Sequence, residues 1–296
     1  MNTFVDRVPI GRTTYSGFEI KPATGTFGAF VSGMQLADAL RDDELFTELR
    51  EAWLKYQVLF FRDQKLTPEQ QHGLGARFGE VQVQGYAPNL EGHDGVWVQE
   101  YPALYDGVVA DINWHADSSF RARPTRGSIL YAHDVPDGAG DTVWADMCAA
   151  YEDLSPAWQA FLGKLTAIHD NLWKNWLRVH EQSGGKGIDD VRKWLPPSEH
   201  PVVCTHPNTG RKYLFVSELM TREIVGMNER ESRAVLDFLH AHQTRPEYQA
   251  RLHWEPKSVA LWDNYSTLHR GIFDFGQQHR LMHRVSFNTD DPITVE

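Results

Sequence analysis

Cysteine is nearly absent: Cys148 and Cys204 are the only two in 296 residues. Two thiols build neither a disulfide framework nor a four-thiolate zinc site, so the chain reads as a reduced, cytoplasmic protein. Any metal must then be held by histidine and carboxylate. Long apolar runs are missing too, and none approaches the roughly 20 residues of a membrane span. The first eleven residues carry Asp6 and Arg7 and no apolar segment, so no signal peptide is expected. Basic residues are in deficit, 29 Lys and Arg against 40 Asp and Glu, for a net charge of −11. That balance argues against a nucleic-acid or anionic-membrane surface. It leaves room for a small anionic ligand, because a local arginine pair can oppose the global field. Internal repeats, low-complexity tracts and linkers are also lacking, so residues 1–296 read as one domain.

What is present is a run of short strand signals separated by helices. Strands are expected over residues 18–20, 26–31, 57–61, 96–101, 127–133 and 142–145, and later over 201–205, 212–216, 250–254, 258–262 and 280–287. Helices are expected over 42–56, from the Thr67-Pro68 cap to Phe78, near 147–154, over 155–165, and after Asn228, where Glu231 completes a capping box. Strands begin and end the chain with no strand–helix–strand alternation. The pattern favours a mainly β protein with α-helices (α+β), a sandwich or jelly roll decorated by helices, over a parallel doubly wound sheet. Residues 171–197 read as a long excursion, either a lid or an ordinary helical insertion.

The stretch Asn113-Trp114-His115-Ala116-Asp117-Ser118-Ser119-Phe120 carries the chemistry. On an extended segment His115 and Asp117 project from one face. One further histidine would complete the two-histidine, one-carboxylate set that binds non-haem iron and leaves positions open. By itself the pair is weak: with 14 His and 40 acidic residues in 296, about two His-x-acid triplets arise by chance. The rest must come from Leu261-Trp262-Asp263-Asn264, the following His269, and Arg280 and Arg284 on the last strand, where Arg280, Met282 and Arg284 share a face.

Taken in order with Gly138-Ala139-Gly140-Asp141-Thr142, these pieces resemble the taurine/2-oxoglutarate dioxygenase (TauD/TfdA) family of Fe(II)-dependent oxygenases, from Thr26 to the C-terminus. The resemblance implies a double-stranded β-helix in which His115, Asp117 and His269 bind Fe(II). It implies that Thr142 and Arg280 hold the distal carboxylate of 2-oxoglutarate, with O2 as the oxidant. It also implies that Arg284 grips a substrate anion. A buried carboxylate is costly unless paired, which is why a forked guanidinium and a hydroxyl suit that place. The pocket departs from that of the taurine enzyme: Gln84 stands at the place of a sulfonate-binding histidine, Asp111 replaces an asparagine, and Asn171 and Met220 replace two phenylalanines. The ending around Arg280 and Arg284 looks closer to the alkylsulfate branch.

The expected activity is therefore oxidation of a small, anionic substrate, an alkyl sulfate or sulfonate, coupled to 2-oxoglutarate decarboxylation. Amino-acid or aryloxy-acid substrates are the alternative. Outside this class stand a 2-oxoglutarate-independent ring-cleaving oxygenase and a non-catalytic jelly-roll binding protein. No nucleic acid or membrane partner is expected, and the resemblance suggests homodimers or homotetramers.

Overall fold

The computed structural model describes residues 14–83, 88–101 and 113–290. In chain order the first elements are β1 (Glu19–Pro22), β2 (Ala29–Ser32), α1 (Asp43–Tyr56), β3 (Val58–Phe61), α2 (Pro68–Phe78), β4 (Glu80–Val81), β5 (Asn89–Leu90), β6 (His93–Tyr101), β7 (Gly127–Asp134) and β8 (Thr142–Asp146). A mixed middle follows: α3 (Met147–Glu152), α4 (Pro156–Leu162), β9 (Thr166–His169), α5 (Leu172–Gln182), α6 (Ile188–Arg192), β10 (Ser198–Pro201), β11 (Val203–Thr205), β12 (Lys212–Leu214), β13 (Thr221–Ile224) and α7 (Glu229–Gln243). Then come β14 (Gln249–Leu252), β15 (Val259–Asp263), β16 (Thr267–Gly271) and β17 (Arg280–Asn288). No helix among the described residues is long and apolar enough to cross a membrane.

The helix starts follow their local chemistry. Asp42 accepts the Leu45 N–H at α1. Thr67 with Gln70 closes a capping box at α2, and Asn228 with Glu231 does so at α7. Each cap contributes on the order of 1 kcal/mol.

The large sheet runs β1-β2-β3-β15-β7-β17-β6-β5, with β4 paired to β17. Its central strands are apolar on consecutive residues because both faces are covered. Leu59, Phe61, Ile129, Tyr131, Val259 and Leu261 pack towards α1 and α2, with Trp53 and Phe78. Their neighbours Val58, Phe60, Leu130, Ala260 and Trp262 point the other way, against Trp144 and Leu252 of the β14-β8-β16 sheet and Trp254 just beyond β14. The second cluster joins the two sheets and forms the floor of the site. Removing a ring such as Trp262, only 1 % exposed, costs about 3–5 kcal/mol.

Three further features complete the fold. Residues 171–197 carry two helices, α5 and α6, whose Leu172, Val179 and Val191 pack with Leu195, Phe120 and Met220. A third sheet, β10-β9-β13, is built of strands only four residues long and rich in polar residues, which carry little strand signal. His269 follows the turn after β15, as expected, and lies within β16.

Candidate metal centre

β15 ends at Asp263, the chain turns over Asn264, Tyr265 and Ser266, and β16 brings His269 back beside Trp144 of β8. The turn is tied by Asp263, whose Oδ1 accepts the Tyr265 N–H at 2.8 Å and whose carbonyl accepts the Thr267 hydroxyl at 2.5 Å. His269 then exchanges two backbone hydrogen bonds with His115, of 2.8 and 3.0 Å. This isolated bridge is the extent of strand at His115 and a turn begins at Asp117, so the extended segment is shorter than expected, while the two side chains do share one side. Ser118 takes a left-handed φ of 51° and carries the chain on into the turn, while the Asp117 carboxylate lies beside both imidazoles.

The two rings lie 4.3 Å apart between centroids. Asp117 Oδ1 is 3.8 Å from His115 Nε2 and 3.6 Å from His269 Nε2. The three donors lie within 4.8 Å of one another, the one such cluster of metal-ligating side chains among the described residues. His115 donates Nδ1–H to the Asn113 carbonyl at 2.8 Å, which selects the tautomer presenting Nε2 as a lone pair. Two imidazoles and one carboxylate oxygen on one side of a point suit a single divalent ion of the non-haem iron kind.

A cavity beside these donors is lined by His115, His269, Thr142, Trp262, Arg280 and Arg284, with Gln99, Tyr101 and Phe273. The expected pair on β17 thus faces one space, while Met282 between them is buried in the core. Arg280 is closely cradled: Gly140, at φ +76°, would place a Cβ 3.5 Å from its Nε. Thr142 Oγ1 accepts the Trp254 Nε1–H at 3.0 Å, so its own proton is available for an acceptor in the cavity. Arg284 Nη2 bonds to Asp117 Oδ2 and, at 2.9 Å, to Ser128 Oγ. Asn171 and Met220 are both buried and lie outside the lining of this cavity, and Met220 packs beside Phe120. Gln84 and Asp111 lie outside the described residues. A larger cleft of about 560 Å³ opens beyond Phe120, between Gln82, Arg121 and Trp194. The chemistry, not the volume, places the site at the triad.

Support from below was not legible in the sequence. Arg126 and Asp263 are a fully buried ion pair, and His206 Nε2 is 2.8 Å from the other Asp263 oxygen. His206 Nδ1 accepts backbone N–H groups from Asn208 and Thr209, so its proton is on Nε2 and goes to Asp263. Burial alone would raise the Asp263 carboxyl, but Arg126 and His206 outweigh it and hold it well below the usual carboxylate range. The Trp262-Asp263-Asn264 motif was the available signal; Arg126 offered none. Asn264 ties this turn to its surroundings: its Oδ1 receives Trp262 Nε1–H at 2.9 Å and the Asp117 N–H at 3.3 Å. His283 faces away from the cavity, against the His133 ring at 3.9 Å. Cys148 and Cys204 are free and buried, and burial raises both thiols.

The chain is similar to known proteins along most of its length. An alkylsulfatase from Acinetobacter baylyi is 32% identical over 274 residues, covering 90% of this chain and 84% of that protein. An (S)-phenoxypropionate/alpha-ketoglutarate-dioxygenase from Sphingobium herbicidovorans is 32% identical over 275 residues, covering 90% and 93%. Among solved structures, AAD-2 in complex with Mn(II) and N-oxalylglycine is similar with a TM-score of 0.77 at 30% identity, covering 94% of this chain and 99% of that one. Residues 19–286 match the family described as taurine catabolism dioxygenase TauD, TfdA family, and the chain belongs to that family.

Proposed function

We propose that this protein is an Fe(II)/2-oxoglutarate-dependent dioxygenase that hydroxylates a C–H bond of a small anionic substrate, an alkyl sulfate or sulfonate. The observation that carries the reading is the convergence of His115, Asp117 and His269 beside a cavity that also presents Thr142 and Arg280. The double-stranded β-helix belongs with this proposal, supported by two sheets that contribute residues to one cavity.

Bound together, iron and the keto acid supply the oxidising chemistry: substrate C–H, O2 and 2-oxoglutarate give the alcohol, succinate and CO2. The chain's own residues bind and orient. His115, Asp117 and His269 hold the ion on one side. Arg280 and the Thr142 proton receive the distal carboxylate, which is otherwise costly to bury. Arg284 offers its guanidinium to the substrate anion, and the position of that anion decides which hydrogen is removed. Trp262, 5.0 Å from the His269 ring, keeps the space beside the ligand apolar. Where the hydroxylated carbon bears a sulfate ester, the product collapses to an aldehyde and sulfate. The alkylsulfatase relative favours sulfate esters, and the phenoxypropionate relative makes aryloxy acids the alternative to test.

The first test adds Fe(II) and 2-oxoglutarate without oxygen and looks for the visible charge-transfer band of a chelated keto acid. Its appearance, followed by O2 uptake with alkyl sulfates, is the expected result. If Fe(II) binds and no band forms, the Arg280 and Thr142 roles fall and a keto-acid-independent oxygenase takes their place.

A further inference from the structure

Asp117 is held by more than its backbone. Oδ1 is turned to the two histidines, and Oδ2 is turned to Arg284. Ser128, on β7, is the hub beneath it. Its Oγ lies 2.9 Å from Arg284 Nη2, 3.3 Å from Asn264 Nδ2, 2.9 Å from Ser286 Oγ and 3.4 Å from Asp117 Oδ2. A guanidinium and an amide NH2 can only donate, so together they fill both lone pairs of Ser128 Oγ. The hydroxyl proton is left for Ser286 or for the Asp117 carboxylate. Ser128 is unexposed, Arg284 is 5 % exposed, and the guanidinium rests over the Trp262 ring at 4.9 Å. Little water competes for these bonds.

From this network we infer that Ser128 and Arg284 are positioning residues for the metal-binding carboxylate: they hold Asp117 Oδ2 so that only Oδ1 serves the ion. The inference rests on the metal reading above and extends it to residues that touch neither ion nor keto acid. It adds a task to Arg284 that a substrate-gripping arginine does not have, one performed before any substrate arrives. Five N–H donors allow both tasks.

The test is the Mn(II) dissociation constant, measured by calorimetry without keto acid or substrate, for the unaltered protein, Ser128→Ala, Arg284→Lys and His269→Ala. Ser128→Ala and Arg284→Lys keep the net charge, so a change reports orientation and not Coulomb repulsion of the ion. Each should weaken Mn(II) binding roughly 10–100-fold, as loss of groups that orient a metal ligand does elsewhere. The metal-free melting temperature of Ser128→Ala should stay near that of the unaltered protein, and this variant carries the test if Arg284→Lys does not fold. Should both variants bind Mn(II) like the unaltered protein while His269→Ala does not, the inference is overturned and the metal site stands. A fall in metal-free stability with unchanged affinity would make Ser128 merely structural and also overturn it. Unimpaired binding by His269→Ala would remove the metal assignment and this inference together.

Discussion

Thr142 and Arg280 show how neighbours decide what a side chain can do. Trp254 occupies the acceptor side of the Thr142 hydroxyl, which leaves its proton directed to a ligand. Thr142→Val deletes that donor and strands the Trp254 N–H. Since a hydrogen bond to a charged group contributes roughly 1.5–3 kcal/mol, the 2-oxoglutarate dissociation constant should rise about 10–100-fold. Arg280→Ala removes the guanidinium proposed to pair with the distal carboxylate and should cost more, on the order of 100–1,000-fold. Titration of the keto-acid band for each variant checks both. Equal affinities in all three would show that the distal carboxylate binds elsewhere.

At the scale of elements, β7 and β17 carry opposite chemistry on their two faces. Towards the cavity they present Ser128, Leu130, Arg280 and Arg284. Away from it, the pairing register shifts between Leu281 and Met282, and His133 sits at the irregularity with its ring against His283. Burial first, and then the His133 and His93 imidazoles, push His283 down to about 4 from an ordinary 6.5. Between those values the unfolded chain binds more protons than the folded one, so stability falls as the pH drops from about 6.5 towards 4. Melting temperatures across that range should decline more gently for His283→Gln than for the unaltered protein. Parallel slopes would mean that His283 is not among the groups that unfold the protein in acid. His169, 1 % exposed and pushed down to about 3 by burial and His200, acts with the same sign.

For the molecule as a whole, stability and metal binding meet beneath the β15–β16 turn. Arg126 lies between the Trp53 and Tyr265 rings, at 4.6 and 4.8 Å, and pairs with Asp263 in a region closed to water. Removing one partner leaves an uncompensated buried charge. Arg126→Ala should therefore lower the unfolding free energy by about 3–5 kcal/mol, read from denaturant unfolding. A loss below about 1 kcal/mol would mean that water reaches Asp263. Ligand linkage gives the complementary experiment. Mn(II) at 100 times its dissociation constant should stabilise the fold by about 2.7 kcal/mol, raising the melting temperature roughly 4 °C in a chain of this size. His269→Ala should show no such rise.

Local chemistry was legible wherever the determining groups are neighbours in sequence. The Thr67–Gln70 and Asn228–Glu231 boxes, the apolar faces of β3, β7 and β15, and the shared face of Arg280 and Arg284 are set by spacing of a few residues. The triad itself was legible because its residues sit in ordered motifs, and the structure brings all three together. What spacing cannot encode is a partner chosen by the closed fold. The pairing of His115 with His269, the Arg126–Asp263–His206 network and the seat of Arg284 on Asp117 and Ser128 join groups far apart along the chain. Burial makes those choices: once water is excluded, each charge and each hydroxyl must find its partner inside, and only the three-dimensional packing determines which one is within reach.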